Sequence, residues 1–349
     1  MATGVIVARM TEPGQRRSGR AGAATIYDIA ERAGVNPSTV SRALNHPGRV
    51  SAATEARIRQ AADELDFHAN PMARALPTGR TRTLALVLAD VTNPVVFGLI
   101  RGAERAAAAA GYTLVIAESQ ESGAVEAATV ERVAPAVDGI VLATSRLADD
   151  EIGAIAARKP VVTVNRGGSA SANVSPDVEP GITALVTHLA DLGHRTLAFL
   201  AGPADSWTST RRWDALFAAA RRAGLHIVEI GPNAPTVDGG GDAYERCEAS
   251  GATAVVAYND LMAMGLIQAA RAAGRRVPAD LSIVGFDDIF GAALITPALT
   301  TVRADLELAG EHAVTHLLAL MGEGDAPADC AELATELVVR DSTGPAPTR

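Results

Sequence analysis

The chain has 349 residues, 48% of them hydrophobic and 20% charged, and its formal net charge is −9. This length allows two or three domains, and the composition is ordinary for a soluble globular protein. No apolar run reaches the roughly 18–20 residues that span a bilayer, and the N-terminus lacks the apolar core of a signal peptide. The two cysteines, Cys247 and Cys330, have no metal-ligand spacing. We therefore expect a cytoplasmic protein with no disulfide.

The charge is distributed unevenly along the chain. Residues 1–80 contain 11 arginines, no lysine and seven acidic residues, a net charge of +4, so the remainder carries −13. The N-terminal part can therefore approach a polyanion that the rest of the chain would repel. Residues 1–23 have no hydrophobic periodicity and are rich in Gly, Arg and Ser. This pattern predicts a flexible basic arm, which either contacts DNA or is an inert tail.

Three short helices are predicted between residues 24 and 69. Thr25 is a suitable N-cap for the first helix, which Gly34 would end. Asn36 is a suitable N-cap for the second, which has Pro37 at its first position, and Ser51 would begin the third. The short glycine-containing link between the first two helices has helix-turn-helix spacing. The side chains predicted to form the core are Ile29, Ala33, Val35, Val40, Leu44, Ile58, Ala61, Ala62 and Leu65.

Residues 70–76 form a separate short segment. Asn70 is a suitable N-cap, Pro71 stands at the first helical position, and Pro77 would stop the helix. A helix of this length is not stable alone in water. The segment is therefore predicted to be helical only when something packs on it, within a linker over residues 70–81.

From Thr83 onward, apolar strands alternate with amphipathic helices. Continuous apolar strands that alternate with helices indicate a buried parallel sheet, and such folds bind ligands beyond the carboxyl ends of their strands. The predicted strands are 84–88, 114–117, 139–142, 161–164, 196–200, 254–257 and 282–284, and the clearest helices are 95–110, 182–192, 209–223 and 261–273. The polar side chains that follow these strands are Asp90, Asn93, Asn165, Arg166, Asn259, Asp260, Asp287 and Asp288.

These motifs together resemble the LacI/GalR family of bacterial repressors. The resemblance is carried by TIYDIA at Thr25–Ala30, AGV at 33–35, STVSRALN at 38–45 and NPMARAL at 70–76. It continues in ADVTNP at 89–94, LGHR at 192–195, NDLMA at 259–263, VGFDD at 284–288 and PALTTV at 297–302. It covers residues 24 to about 340.

The resemblance implies a particular fold. This is an N-terminal all-α helix-turn-helix domain (residues 24–69) followed by the hinge segment and an α/β periplasmic-binding-protein-like domain (residues 82–340). The α/β domain would consist of two parallel-sheet subdomains joined by three crossovers. One would span about 82–175 with 304–333, and the other 176–303 with 334–340. Residues 341–349, rich in Ser, Thr, Gly and Pro, are predicted to be a flexible tail.

The resemblance also implies how the protein would bind an operator. The helix that begins after Asn36 would enter the major groove, where Arg42 is the strongest predicted base reader and Pro37 and Ser38 read weakly. Leu76 would wedge into the minor groove, or alternatively only pack on the hinge of a second protomer. We expect a homodimer on an inverted repeat. The full set of predicted DNA contacts is Thr25, Tyr27, Asn36, Pro37, Ser38, Thr39, Ser41, Arg42, Asn45, Thr54, Asn70, Ala73 and Leu76.

An effector pocket is expected in the cleft between the subdomains. Asp, Asn and Arg side chains there suit a small sugar, polyol or nucleoside, with Phe97, Trp207 and Phe290 as possible apolar faces. The predicted contacts are Asn93, Phe97, Asn165, Arg166, Trp207, Arg212, Asn259 and Asp287. No cofactor or metal is predicted.

Several residues near this pocket have structural alternatives. Asp260 is expected to be the N-cap of the helix at Leu261, and Asp288 is expected to cap the following turn. Arg211 is expected to be solvated, while Trp207 is either a lid or a loop anchor. Val95 and Val96, with Ala304, replace larger or more polar residues of the family, so one wall is expected to be wider or less polar.

Other classes of protein fit the sequence less well. An enzyme would have to use His194 with Asp287 and Asp288, but no phosphate loop, nucleophile elbow or metal cluster accompanies them. A solute-binding protein would share the fold but would not carry a helix-turn-helix. Repression released by ligand is the expected mode, and a co-repressor-dependent regulator with a purine-type ligand is the alternative.

Overall fold

The computed structural model describes residues 24–45, 48–67, 80–168, 171–325 and 333–348. The predicted basic arm, the predicted hinge helix with Asn70, Ala73 and Leu76, and Cys330 lie outside these ranges. The chain divides into two compact units, Met1–Thr78 and Gly79–Arg349. Each unit is described by itself.

The described residues of the first unit form three helices, α1 (Ile26–Ala33), α2 (Pro37–Asn45) and α3 (Ala52–Glu64). Their ends are set by local chemistry. Thr25 and Asp28 form a capping box, in which each side chain accepts from the other residue's backbone N–H. Gly34 ends α1 in the left-handed conformation at φ 65°, which glycine adopts without steric cost. The Ser51 side chain caps α3 by accepting from Thr54 N–H.

A small apolar core holds these helices together. Ile29, Val40 and Ile58, one from each helix, are fully buried. The alanines at 30, 33, 43, 61 and 62 let the helices approach closely, and Val35, Leu44 and Leu65 pack at the margin. All nine side chains predicted for this core belong to it.

The described residues of the second unit form two sheets. The first is parallel and has the strand order β2-β1-β3-β4-β5. Its strands are β1 (Thr83–Leu88), β2 (Thr113–Glu118), β3 (Gly139–Ala143), β4 (Val161–Val164) and β5 (Ala172–Val174), and its connecting helices are α4 (Val96–Ala109), α5 (Gly123–Val133) and α6 (Asp149–Ala156). The central strands are buried on both faces, as their apolar sequences predict.

The second sheet has the order β11-β10-β9-β8-β6-β7 and is parallel except for β11. Its strands are β6 (Thr196–Leu200), β7 (His226–Ile230), β8 (Ala254–Ala257), β9 (Ser282–Phe286), β10 (Thr300–Arg303) and β11 (Glu336–Val338). The helices of this half are α7 (Glu179–Asp191), α8 (Trp207–Arg222), α9 (Val237–Asp242), α10 (Tyr244–Ala249) and α11 (Asp260–Ala272). Short 3₁₀ turns occupy Ala134–Ala136 and Phe290–Ala293.

The chain passes between the sheets more than once, so the two halves are not consecutive in sequence. After β10, helix α12 (Leu306–Leu320) returns to the first half, where Ala313 and Leu317 join the core under that sheet. The backbones of α12 and α4 are in direct contact. A Cβ added to Gly102 on α4 would lie 1.8 Å from the Glu307 carbonyl oxygen on α12. The chain then supplies β11 to the second sheet.

Every strand predicted from apolar runs is present, but β5, β7, β10 and β11 were not predicted. β7 and β11 are partly exposed strands at the edges of the second sheet, and β5 and β11 contain only three residues each. Such strands lack the apolar run that marks a buried strand. Among the described residues, no helix is long and apolar enough to cross a membrane.

The C-terminal residues 341–348 are packed against the second sheet, which corrects the prediction of a flexible tail. Ser342 is fully buried, and its hydroxyl donates to the Ile283 carbonyl oxygen at 2.5 Å. His194 is also fully buried and bonds through Nε2 to Ser282 and to the Gly344 carbonyl, and through Nδ1 to Thr253. His194 therefore anchors the tail. Cys247 is buried in the same half of the unit, and this burial raises the pKa of its thiol to about 11.

We expect protonation of His194 to weaken the second unit. Burial lowers the pKa of His194 below its ordinary value, so the unfolded chain takes up the proton first as the pH falls. The stabilisation by neutral His194 is complete above about pH 6.5 and is lost progressively below it. Urea denaturation at pH 7.5 and 5.5 measures this loss. His194→Gln should be less stable at pH 7.5 and should lose less on acidification, and an unchanged loss would contradict the assignment.

Candidate functional site

A cavity of about 90 Å³ lies between the carboxyl ends of the two sets of strands. Leu88, Ala89 and Asp90 line it after β1, Thr144 after β3, and Asn165 after β4. From the other sheet it is lined by Tyr258 and Asn259 after β8, and by Phe286 and Asp287 at the end of β9. The cavity therefore occupies the position at which parallel α/β sheets bind ligands.

The backbone at these strand ends is strained. Glu121, Thr144, Asn165 and Asp287 line the cavity and have φ values of 56°, 53°, 54° and 111°. Each L-residue in this region costs about 1–2 kcal/mol. Such conformations persist where the surrounding structure fixes them, and they concentrate at ligand sites.

Arg212 and Asp287 form a buried ion pair at the second-sheet side of the cavity. Arg212 Nη2 donates to Asp287 Oδ1 at 2.7 Å, and Nη1 donates to the Tyr258 carbonyl. The guanidinium also stacks on Phe286, 3.8 Å from the ring centroid. Burial raises the pKa of the Asp287 carboxyl, and the nearby Arg212 charge only partly offsets this. The Arg212 Nε atom is buried and has no hydrogen-bond partner among the described residues.

The structure corrects the predicted role of Asp260. The N-cap of α11 is Asn259, whose side-chain oxygen accepts from Met262 N–H at 2.9 Å and whose amide donates to the Pro235 carbonyl. Asp260 is fully buried and accepts from Ile289 N–H and the Thr301 hydroxyl. Burial, and then the neighbouring Asp287 charge, raise the pKa of Asp260 well above its ordinary value. Asp260 thus holds the segment that follows Asp287.

Asp288 also differs from its prediction as a turn cap. Its carboxylate accepts from Arg340 at 2.6 Å and pairs with Arg303 at 3.4 Å. These arginines follow β11 and end β10, so Asp288 fastens the strand-end loop to the far edge of the sheet. Neither partner is near Asp288 in sequence, which is why the local pattern suggested a cap instead.

The cavity brings together most of the predicted effector-binding residues. Asn93, Asn165, Trp207, Arg212, Asn259 and Asp287 all line it. Trp207 is the first residue of α8, and its indole packs on Gly167, where an added Cβ would be 2.2 Å from Nε1. Arg211 is exposed as predicted, with its guanidinium 5.7 Å from the centre of the Trp207 ring.

Phe97 and Arg166 do not line this cavity. Phe97 is 49% exposed and lies with Phe290 in a separate open groove, because it is on the face of α4 turned away from the cleft. Arg166 instead donates to the Leu147 carbonyl and to Asp149. Apolar walls come from Val95, Val96 and Ala304, which the sequence marked as unusual, and from Leu99 and Leu306.

The lining residues that sequence reasoning missed include Thr144, Thr208, Tyr258 and Phe286. Tyr258 and Phe286 belong to the apolar strand ends and look like core residues in the sequence. The Thr208 hydroxyl donates to the Asn165 carbonyl at 3.3 Å, so it joins the two sides of the cleft. Its place in the sequence, beside Trp207 at the start of a helix after a strand, was the available signal.

The candidate DNA-binding residues of the first unit are mostly accessible. Thr25, Asn36, Ser38 and Arg42 are exposed, and Tyr27 is 69% exposed. Pro37, Thr39, Ser41 and Thr54 are half-buried. Because Val40 and Ala43 bury the inner face of α2, Ser38 and Arg42 lie on its outer face.

Comparison with known proteins agrees with this geometry. The profile described as "Bacterial regulatory proteins, lacI family" matches residues 25–70, and that of a "Periplasmic binding protein-like domain" matches residues 186–343. The transcriptional regulator DegA of Bacillus subtilis (strain 168) is 32% identical, over 92% of this chain and 98% of its own. The transcriptional repressor CytR of Escherichia coli (strain K12) is 31% identical, over 92% of this chain and 96% of its own.

A solved structure extends the likeness to the whole fold. The crystal structure of a Lac repressor dimer bound to operator and the anti-inducer ONPF matches with a TM-score of 0.82 at 26% identity, covering 93% of this chain and 100% of that one. The predicted fold class is thereby confirmed. The relatives are regulators of transcription, which confirms the regulatory interpretation over an enzymatic one.

We expect loss of Arg212 to destabilise the second unit. Arg212→Met leaves the Asp287 carboxylate buried without its partner, at a cost of about 3 kcal/mol. Chemical denaturation measures this change. Arg211→Met removes an exposed guanidinium next to it and should leave the denaturation midpoint unchanged. Equal effects of the two substitutions would contradict a structural role for the buried pair.

Proposed function

The chain belongs to the LacI family of bacterial regulatory proteins, and we propose that it is a repressor that binds an inverted-repeat operator as a homodimer and releases it when a small uncharged ligand enters the cleft. The accessible outer face of α2 carries the DNA-binding half of this proposal. The cavity at the strand ends, with its strained backbone and convergent polar side chains, supports the ligand-binding half. With chromosomal DNA as its partner, the protein would act in the cytoplasm.

Base reading would depend chiefly on Arg42. Its guanidinium can bind guanine O6 and N7 in a bidentate manner in the major groove, whereas Ser38 can bond to several bases. Tyr27, Thr39, Ser41 and Thr54 suit phosphate contacts, which fix register without reading sequence. Leu76 would act differently, as a minor-groove wedge offered by two hinge segments together.

Exposed apolar side chains support the homodimer. Phe97 on α4 is 49% exposed, Phe290 is 68% exposed and Leu294 is 75% exposed. Large apolar residues exposed in this way commonly mark an interface between proteins. A second copy of this chain is the proposed partner, because twofold symmetry matches an inverted repeat.

We expect alanine substitutions of Arg42 and Leu76 to weaken operator binding in different ways. Arg42→Ala should lower operator affinity by about tenfold, and it should relax discrimination at one base pair per half-site. Leu76→Ala should keep the fold but lower affinity for the specific operator by more than about tenfold, because the contacts made on kinked DNA are lost.

The measurement is a fluorescence titration of labelled inverted repeats found by footprinting near the gene. Specific and random duplexes are compared at one salt concentration, because salt changes affinity for both. Unchanged specific affinity in Leu76→Ala would reject the wedge, and unchanged base preference in Arg42→Ala would reject base reading by that residue.

The charges around the cavity favour an uncharged ligand. Arg212 is paired with Asp287 at 2.7 Å, and Arg166, beyond the cavity wall, is paired with Asp149 at 3.1 Å. The lining adds the carboxylates of Asp90 and Glu121 and the exposed guanidinium of Arg211, which lies against the Trp207 ring. A phosphate or carboxylate placed here would lose its hydration close to these carboxylates and would gain only the solvent-screened charge of Arg211.

The same groups suit hydroxyls. The unpaired Arg212 Nε–H is a donor, and the carboxylates of Asp90 and Asp287 are acceptors for ligand O–H groups. Trp207, Tyr258 and Phe286 offer flat apolar surfaces beside them. A sugar, polyol or nucleoside combines hydroxyls with an apolar face in this way. The co-repressor alternative uses the same cavity for a purine-type ligand. Such a ligand would strengthen DNA binding instead of weakening it.

We expect an uncharged compound, and not its charged derivative, to raise the melting temperature of the protein. The panel pairs ribose with ribose 5-phosphate, glucose with glucose 6-phosphate and gluconate, and adenosine with its monophosphate. The binding member should have at least about tenfold higher affinity than its anion, since the anion's desolvation is uncompensated. Tighter binding of an anion would contradict this ligand class. Operator titration with the same compounds then separates release from co-repression.

A further inference from the structure

Arg146 is a buried cation between the two halves of the second unit. It follows β3, and its side chain is only 1% exposed. Its Nη2 donates to Glu121, a cavity-lining residue, and its Nη1 donates to the Thr144 carbonyl at 3.1 Å. Glu126, also buried, holds the same loop by accepting from Arg146 N–H at 2.7 Å. The guanidinium is therefore fixed by first-half residues.

The third nitrogen of this guanidinium is unsatisfied. Arg146 Nε is buried and has no hydrogen-bond partner. The carboxylate facing it is that of Asp205, with Oδ1 at 3.9 Å. Asp205 follows β6 in the second half, and its side chain is 62% exposed. At 3.9 Å the two groups attract each other electrostatically but are too far apart for a hydrogen bond. Asp205 Oδ1 would have to move about 1 Å closer to Arg146 Nε to form one.

The segment around Asp205 faces the first half at two further points. The Trp207 indole packs on Gly167, and the Thr208 hydroxyl donates to the Asn165 carbonyl at 3.3 Å. Asp205, Trp207 and Thr208 thus lie opposite Arg146, Gly167 and Asn165 along one side of the cleft. Trp207 and Thr208 already touch the first half, whereas Asp205 and Arg146 are still too far apart to form a hydrogen bond.

We propose that Arg146 and Asp205 are positioning residues for closure of the cleft. Further closure around a ligand brings Asp205 Oδ1 onto the unused Arg146 Nε–H and converts a distant ion pair into a charge-assisted hydrogen bond. Neither side chain contacts the ligand; they favour the closed arrangement that holds it. This inference rests on the proposed ligand-binding function of the cleft.

Trp207 allows closure to be measured without any ligand. The chain has two tryptophans, and Trp213→Phe leaves Trp207 as the only one. Trp213 stacks on Phe199 at 6.0 Å, so phenylalanine preserves an aromatic contact there. In this full-length background, acrylamide quenching of Trp207 emission reports the fraction of molecules in which the indole is away from Gly167.

Asp205→Ala is the test variant, since an exposed side chain can be removed without unfolding the protein. We expect the accessible fraction of Trp207 emission to rise by about two- to fivefold, the range for a partly exposed ion pair. Asp205→Glu keeps the charge and should retain the protection of the parent. Asp214→Ala removes an exposed carboxylate from the same helix as Trp207 and should change nothing.

Two results would overturn the inference. One is that Asp205→Ala is quenched no more than Asp214→Ala. The other is that Asp205→Glu is as accessible as Asp205→Ala, which would assign the effect to lost packing. Far-UV circular dichroism and urea midpoints verify that the variants are folded. Because neither operator nor ligand is present, failure here leaves the repressor function standing, whereas a protein that binds no operator would reject that function and leave this result untouched.

Discussion

The end of β9 is the point on which the cleft depends. A buried ion pair such as Arg212–Asp287 adds little net stability, because desolvation of both charges offsets their attraction. Its importance is geometric. Asp287 has φ 111°, and the next residues are held by Asp260 below and by the Arg340–Asp288 pair at the side. These constraints hold the strained loop in place at the edge of the cavity.

The two sides of the cavity are chemically different. The side nearest α4 is formed by small aliphatic residues, including Val95, Val96 and Ala304, while the opposite side carries the ion pair and the aromatic rings. A ligand with a hydroxyl-bearing edge and an apolar edge has only one favourable orientation in such a site. Two contacts between the halves, Trp207 on Gly167 and Thr208 on Asn165, lie at the margin of this cavity.

The sequence predicted the parts of this protein that depend on local patterns. Buried strands such as Val161–Val164 and Thr196–Leu200 were located to the residue, because a short, continuous apolar run bounded by polar residues is typical of a strand buried on both faces. Local patterns could not give the partners of Asp260 and Asp288, which lie up to 52 residues away in the chain. They also gave the wrong outcome for the C-terminal tail, whose Ser and Gly residues look mobile until His194 and Ser282 are placed beside them.

The close contact between Gly167 and Trp207 makes position 167 sensitive to mutation. The Gly167 backbone touches the Trp207 ring so closely that an added methyl group would lie 2.2 Å from the indole nitrogen. A single-base change from a glycine to an alanine codon would therefore displace the Trp207 indole or separate the two halves at this point, and both effects lie within the second unit. If the cleft binds the inducer as proposed, such an allele would encode a repressor with an impaired response to it.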